Sequence, residues 1–368
     1  MNRLFFNRFR MLLMFLAIFS SVSFSQFDNV DFLKSIPADG AKFVQAYITP
    51  YANAFGAGLN GSWYNTAKPH KLGGFDVTVG LNVGMVPAAD ETYDLSKLEL
   101  SAGMNPKTGS APTIAGPDND GPLMNYSVNV PVAGSVTLAS FNTPPGTGWK
   151  YIPVPTAQVG IGLPLGTEIK GRFIPKIPIK GADIMLWGVG LMHSIMQYIP
   201  GNELLPVDAS IFAGYTRLIA NVPINLQPGT PQAYSSPYSL TSFNDQNFSA
   251  TVEALNVSAI ASVNLPVISF YGGLGYSKTR TLLELTGSFP TPKVSTTDIN
   301  KDGFLNDPEY NNSGVIKGES FPKMDIENFS GLRANIGFRL KFAVITIHAD
   351  YTRAQYNVVS TGLGISFR

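Results

Sequence analysis

Residues 75–85 read Phe-Asp-Val-Thr-Val-Gly-Leu-Asn-Val-Gly-Met, with an apolar side chain at every odd position and a small or polar one at every even position. The same alternation recurs at 332–341, 345–351 and 359–367. Because successive side chains of a strand point to opposite faces, each segment has one apolar and one polar face. The pattern predicts amphipathic β-strands.

A soluble β-sandwich also alternates, but three features of these strands favour a membrane barrel. The segment 75–85 spans 11 residues, whereas globular strands usually have about five or six. The polar faces are rich in Gly, Ser, Thr and Asn, and Tyr and Phe border the apolar faces as in lipid-facing walls. Because lipid offers no hydrogen-bond partners to backbone N–H and C=O groups, strands that cross a membrane must close into a barrel without free edges. We therefore expect an all-β membrane protein, a closed antiparallel transmembrane β-barrel.

The number of strands depends on an ambiguous region. Loop signals at 87–141 surround weak strands near 94–103 and 133–141, so we expect about twelve strands, with ten or fourteen as alternatives. Residues 192–206 resemble a short helix. Outer-membrane barrels have short periplasmic turns and long external loops, which predicts the direction of the strands. The expected short turns lie near 164–166, 265–266 and 341–342, and the expected long connections at 222–246 and 287–327.

Composition excludes several classes of protein. The net charge of +1, from 26 Lys+Arg and 25 Asp+Glu, argues against a nucleic-acid-binding protein, which would show a basic excess. The absence of Cys excludes a disulfide scaffold, a zinc ribbon and a Cys nucleophile. The mean hydropathy is +0.09 and the sequence contains no long apolar run. The chain is therefore too polar to be a helical membrane bundle.

Residues 1–25 have the pattern of a secretory signal peptide. Three arginines precede the nine apolar residues 11–19, and a Ser-Phe-Ser cleavage site follows at 23–25. We expect export to the outer membrane of a Gram-negative bacterium. Residues 26–72 would form an N-terminal periplasmic or plug segment with a short helix opened by Pro37, and 73–368 the barrel. A periplasmic tail is the alternative to a plug.

Residues 298–309 match the calcium-loop pattern D-x-N-x-D-G-x-x-N-x-x-E. Gly303 permits the sharp turn, and Pro308 leaves no room for a long exiting helix, so we expect low-affinity, structural Ca²⁺ binding that orders the external loop 287–327. An acidic, solvated loop tip is the alternative. The predicted ligands are Asp298, Asn300, Asp302, the Phe304 carbonyl, Asn306 and Glu309.

Catalysis is weakly supported. His348 and Asp350 share the lumen-facing side of one strand, and Ser360 or Ser366 lies on the next strand, but a polar lumen predicts the same residues. We therefore expect no enzyme. Charges of both signs on the lumen face indicate a salt-bridged, filled interior rather than a wide pore. The expected lumen-facing residues are Glu168, Lys170, Arg172, Asp208, Glu253, Arg333, Arg339, Lys341, His348 and Asp350.

Several motifs carry a family resemblance, above all Leu-Asn-Gly-Ser-Trp-Tyr-Asn-Thr-Ala-Lys-Pro-His at 59–70, with 47–50, 73–76, 188–193 and 199–201. In these the chain resembles an uncharacterised Bacteroidota-type family of outer-membrane barrels that is distantly similar to the long-chain fatty-acid transporter group. The resemblance implies a plugged barrel that passes hydrophobic molecules sideways into the membrane.

These observations predict a plugged passive channel or transporter for small solutes, hydrophobic ones included. The alternative is a structural or accessory barrel of an envelope or secretion complex, or adhesion through the calcium-ordered loop. The expected partners are outer-membrane lipid, a small hydrophobic solute and an envelope protein, without nucleic acid.

Overall fold

The computed structural model describes most of the chain from Pro37 to Phe367. The predicted signal peptide, residues 26–36 and the predicted calcium loop at 298–309 lie outside the described residues, so these expectations stay predictions. The described ranges are 37–130, 134–179, 182–200, 206–223, 246–287, 289–291, 317–319 and 322–367.

Ten antiparallel strands close into a barrel in which each strand pairs with its neighbours in sequence. The last strand pairs with the first, Phe367 opposite Phe75, and so leaves no free edge. The strands are β1 (Phe75–Met85), β2 (Tyr151–Leu163), β3 (Thr167–Ile179), β4 (Ala182–Ser194), β5 (Val207–Pro223), β6 (Asn247–Asn264), β7 (Ile268–Thr286), β8 (Met324–Phe342), β9 (Ile345–Arg353) and β10 (Val358–Phe367).

The expected barrel is confirmed. It has ten strands, which was the lower alternative, so the expected count of twelve is wrong. The two weak strands expected near 94–103 and 133–141 do not enter the wall, because β1 pairs directly with β2, Phe75 opposite Ile161. The intervening residues, 86–150, form an excursion with small sheets of its own. Its short strands are Thr92–Asp94, Met104–Asn105, Ser110–Pro112, Leu123–Val130 and Gly134–Asn142.

The two ends of the barrel differ. At one end, which we call the short-turn end, β2–β3, β6–β7 and β8–β9 are joined by turns of a few residues, and Phe75 and Phe367 begin and end the wall. A short 3₁₀ turn, Met196–Tyr198, replaces the helix expected at 192–206. The opposite, long-loop end carries the excursion 86–150 and the connections after β5 and β7. A further short pair, Phe289–Thr291 with Lys317–Glu319, lies in the connection after β7.

Outward side chains of the wall are apolar, whereas inward ones are largely polar. On β1, Val77 and Val79 are exposed while Asp76 and Thr78 are buried, which confirms the alternation seen in the sequence. Aromatic pairs occur on the outward face, such as Trp187 with Tyr215 at 5.6 Å between ring centroids. Among the described residues, no helix has both the length and the apolar character needed to cross a bilayer.

The one α-helix among the described residues, α1 (Pro37–Leu59), lies inside the barrel. With 23 residues it is longer than the short helix expected after Pro37. Its backbone passes so close to β1 that a Cβ on the inward-facing Gly84 would lie 2.0 Å from the carbonyl oxygen of Ala54. The N-terminal half of α1 packs on the excursion, where the rings of Phe43 and Phe141 are 5.7 Å apart. From Leu59 the chain continues through the lumen to the short-turn end and enters β1. We call residues 37–72 the plug.

Candidate functional site

The plug helix has two different faces. Residues spaced three or four apart lie on one face of a helix, and Ile48, Tyr51, Ala52 and Phe55 together face an apolar cavity. The opposite face carries Lys42, Gln45, Thr49 and Asn53, which line a polar cleft. The helix therefore separates two chambers of opposite chemical character.

The apolar cavity has a volume of about 290 Å³ and lies between α1 and the inner wall. Its wall side is built by aliphatic residues of β2 to β7, such as Val154, Ile174 and Leu218. Among the described residues, Tyr51 and Thr281 are the two polar ones in its lining and no charged side chain lines it. The Tyr51 hydroxyl is hydrogen-bonded to Thr147, 2.7 Å away. Because apolar cavities of about half this size stay dry and take up benzene, this cavity suits a small hydrophobic molecule.

The wall beside this cavity contains an unpaired seam. Pairing between β2 and β3 runs from Leu163 opposite Thr167 to Gln158 opposite Arg172 and ends there. Both strands continue toward the long-loop end, β2 paired with β1 and β3 with β4. Proline has no N–H to donate to a ladder, and four prolines lie in these unpaired stretches. They are Pro153, Pro155, Pro175 and Pro178. Cavity residues of both strands border the seam.

Two arginines of the wall hold the C-terminal end of α1. Arg172 donates to the carbonyl oxygens of Leu59 and Gly61 at 2.7 and 2.6 Å, and its guanidinium stacks 3.7 Å from the centre of the Trp63 ring. Arg333 donates to the carbonyl oxygen of Asn60 at 2.7 Å. The last carbonyls of a helix lack internal partners and carry partial negative charge, so these guanidinium groups satisfy and neutralise the helix end.

Aromatic residues fill the lumen below the helix. Trp63 and Tyr64 of the plug pack on Phe212 and Tyr271 of the wall, all of them buried. The Tyr64 hydroxyl also donates to Asn335 at 2.7 Å. The described plug therefore closes the axial route toward the short-turn end.

A buried polar cluster, which we call the latch, ties the last plug residues to the wall. His70 lies with Nδ1 3.0 Å from Glu168 Oε2 and Nε2 3.0 Å from Ser366 Oγ. The backbone N–H of His70 donates to the same Glu168 oxygen at 2.9 Å. Lys170 is paired with Glu168 and lies 3.7 Å from Asp76 Oδ1. Three strands, β1, β3 and β10, thus hold one plug residue.

The latch has the donor atoms of a metal site, since one ligand atom each of His70, Asp76 and Glu168 lies within 4.8 Å of the others. However, Lys170 already occupies the position of a cation between the carboxylates, and Arg339 interacts electrostatically with both. The two acids and two bases balance, so a divalent ion would leave an uncompensated buried double charge, which is costly. The residues present do not fit a metal ion.

The order Ser366, His70, Glu168 also matches the geometry of a nucleophile, base and acid. Ser366 is only 2% exposed, and the plug covers it. Withdrawing the plug to admit a substrate would remove His70, the base, together with the cover. The arrangement therefore suits a structural fastening better than catalysis.

Other expected site residues lie apart from one another. Asp350 accepts a hydrogen bond from Tyr271, 3.0 Å away, and His348 is buried without a hydrogen-bond partner on either ring nitrogen, so the two do not form an acid–base pair.

Glu253 was wrongly expected in the lumen. Its strand turns Val252 and Ala254 inward, and Glu253 lies 3.8 Å from Arg217 on the outward side.

The cavity and the latch were missed from the sequence. The spacing 48, 51, 52 and 55 is the apolar pattern of a helix face and could have indicated a cavity-lining surface. No comparable signal existed for His70, because Glu168 and Ser366 lie 98 and 296 positions away in the chain.

Comparison with known proteins assigns a family. The chain belongs to DUF6588, a family of unknown function whose model matches residues 1–367. No curated protein matches it. The assignment adds no support for the Bacteroidota-type grouping or for the resemblance to fatty-acid transporters.

Solved outer-membrane barrels are similar to this DUF6588 member at low identity. The OmpT protease of Escherichia coli is 7% identical, with 84% of this chain and 100% of that chain covered and a TM-score of 0.32. The translocator domain of the autotransporter NalP from Neisseria meningitidis is 10% identical, with 88% and 97% covered and a TM-score of 0.27. These values carry no argument about function. The closed strand pairing and apolar outer wall are those of an outer-membrane β-barrel.

Proposed function

We propose that this outer-membrane barrel is a passive transporter for small, uncharged hydrophobic solutes, which bind in the apolar cavity beside α1. The cavity is the observation that carries the proposal, because a lining without charged groups stabilises an apolar guest by burying its surface. Its volume of about 290 Å³ suits a molecule of roughly two fused aromatic rings, judged against the smaller cavities that hold benzene.

The orientation of the barrel in the membrane is inferred from its two ends. By the usual rule that external loops are the longer ones, the long-loop end faces outward and the short-turn end faces the periplasm. The cavity then lies toward the external side, and the aromatic packing around Trp63 and the latch close the axial way below it. In this proposal the solute passes sideways into the membrane through the seam between β2 and β3, where the strand pairing ends. This part of the proposal agrees with the sideways passage implied by the sequence resemblance.

Binding is tested with an uncharged fluorescent probe, N-phenyl-1-naphthylamine, added to the purified full chain in detergent. Ala220→Trp places a large side chain on the cavity side of β5, and we expect probe affinity to fall at least about tenfold. The matched control is Ala213→Trp on the same strand, where the side chain is exposed on the outward face. Equal affinity of both variants and the parent would contradict the cavity as the binding site.

Transport is tested in liposomes that contain the protein and enclose a compound that binds the probe, so that the rate of probe entry can be measured. The parent protein should accelerate entry of the uncharged probe, and Ala220→Trp should not. Absence of any acceleration, with binding intact, would favour an accessory barrel. That second function is an accessory role in an envelope or secretion complex, or adhesion through a Ca²⁺-ordered external loop, and the calcium pattern at 298–309 favours the adhesion role.

The proposal includes no catalysis. A fluorophosphonate that labels activated serines should leave the protein unmodified, since Ser366 is covered by the plug. Labelling that disappears in Ser366→Ala but persists in Ser360→Ala would show that the latch is a catalytic site after all.

A further inference from the structure

The chain segment that enters β2 is tied to the plug helix. Residues 145–149, which we call the strap, lead from the excursion into β2. Tyr47 of α1 donates a hydrogen bond to the carbonyl oxygen of Pro145 at 2.8 Å. One helical turn further along, the Tyr51 hydroxyl donates to the carbonyl oxygen of Trp149 at 2.8 Å. Two tyrosines of one helix thus hold the first and the last residue of the strap.

Ile114 of the excursion connects the strap to the apolar cavity, because both Ile114 and Tyr51 belong to the cavity lining. Thr147 of the strap donates to the carbonyl oxygen of Ile114 twice, through its backbone N–H at 2.9 Å and through its hydroxyl at 2.8 Å. The same Thr147 hydroxyl lies 2.7 Å from the Tyr51 hydroxyl. The strap is therefore fastened to the helix at the edge of the cavity.

The strap leads directly into the part of β2 that borders the seam. Between Tyr151 and Ala157, β2 pairs with β1, and its described pairing with β3 begins only at Gln158. The helix supports this stretch from inside, since a Cβ added to Gly58 would lie 2.6 Å from Val154 Cγ2. Because no strand partner fixes this edge on the side of β3, the position of the edge depends on its contacts with α1 and the strap.

We propose that Tyr51 is a positioning residue that keeps the seam closed, an inference that rests on the proposed sideways passage of the solute. Its hydroxyl ties the start of β2 to α1, and loss of this tie allows the β2 edge to move away from β3. The net strength of one hydrogen bond corresponds to a shift of about fivefold between closed and open forms. Tyr51 therefore controls how fast a solute leaves the cavity through the seam.

Two variants test this role in the liposome assay. Tyr51→Phe keeps the ring and removes the hydroxyl, and we expect probe entry to become about threefold to tenfold faster. Thr147→Val removes the hydroxyl on the strap side and leaves the cavity lining intact. It should also accelerate entry, without a change in probe affinity in detergent. Thr147→Val decides the outcome if Tyr51→Phe does not fold.

The matched control is Tyr356→Phe at neutral pH. The Tyr356 hydroxyl also contacts α1, at 2.9 Å from the side-chain nitrogen of Asn53, but on the polar face of the helix. Its removal should leave the entry rate unchanged. Equal acceleration in Tyr356→Phe would show a general loosening of the plug and overturn the proposal. Unchanged or slower entry in both strap variants of a transporting protein would also overturn it.

Thiol labelling measures the seam without transport. The chain contains no cysteine, and Ile174→Cys places a thiol on β3 in the cavity lining. A lipid-soluble maleimide should label this thiol faster when Tyr51→Phe or Thr147→Val is also present. Faster labelling in a protein that transports nothing would support the role of Tyr51 and contradict only the proposed transport. Equal labelling with and without the strap variants would overturn the role of Tyr51, whether or not the parent transports the probe.

Discussion

At the scale of single residues, the plug is held by a small number of buried polar groups that replace water around a helix end. Arg172 is fully enclosed and satisfies two backbone carbonyls at once, while Arg333 satisfies a third. The cost of burying the Arg172 guanidinium is offset because each of its three nitrogens donates to an oxygen and one face covers Trp63. These contacts fasten the end of α1 to the wall.

Arg172→Met should therefore loosen the plug. Two buried carbonyls would lose their donors, at a cost of about 1–3 kcal/mol each in the free energy of unfolding. We expect a lower thermal midpoint and larger ion conductance in planar bilayers. The control is Lys176→Met on the same strand, where the side chain is 65% exposed and its ion pair contributes at most about 1 kcal/mol. Equal behaviour of the two variants would show that Arg172 does not hold the plug.

Buried tyrosines at the long-loop end predict a loss of stability in alkali. Burial raises the pKa of Tyr47, Tyr93 and Tyr356 above the usual value near 10, and the Asp90 carboxylate raises that of Tyr356 further. The folded state keeps these protons while the unfolded chain releases them, so this stability is complete below pH 10 and lost above it. The thermal midpoint should fall from pH 10 to 11.5, less steeply in Tyr356→Phe. A flat profile would contradict this linkage.

At the scale of elements, close approach of backbones decides where α1 can lie. An inward side chain at position 84 would occupy the space of the Ala54 carbonyl, so glycine is required there by packing. Position 171 has no neighbouring atom within 4 Å of an added Cβ. The two glycines lie in strands of the same wall and differ only in what faces them.

Gly84→Ala should displace the helix and lower stability by about 1–3 kcal/mol, the usual cost of overpacking. Gly171→Ala should leave the thermal midpoint unchanged or slightly raised, because alanine reduces the entropy of the unfolded chain. Thermal unfolding in detergent measures both. An unchanged midpoint in Gly84→Ala would mean that α1 does not pass beside β1.

The connection between β7 and β8 carries the calcium prediction. Asp298→Ala combined with Glu309→Ala should abolish any Ca²⁺-dependent protection of residues 287–327 from protease, because these residues are the first and the last predicted ligands of the calcium loop. Addition of Mg²⁺ in place of Ca²⁺ should protect poorly, since Mg²⁺ requires a tighter octahedral site. Protection that persists in the double variant would contradict the calcium site and favour the alternative, an acidic and solvated loop tip.

At the scale of the whole molecule, the barrel exposes its apolar side chains to lipid and keeps a packed, polar-lined interior. The chain contains no cysteine, so a single introduced thiol reports on its own position. Val77→Cys and Val79→Cys should react with a lipid-restricted maleimide, whereas Thr78→Cys should not, because its side chain faces the lumen. Equal reaction at 77 and 78 would contradict the membrane barrel.

The sequence alone determined the wall, because alternation along residues 75–85 is a local property that fixes which side of a strand meets lipid. It also marked Pro37 as the start of a helix and indicated a filled interior. It could not determine that residues 94–103 and 133–141 pair outside the wall, since strand pairing depends on partners distant in the chain. The cavity, the seam beside Pro155 and the latch around His70 arise only when the barrel closes on the plug, because each joins surfaces that the chain brings together from opposite ends.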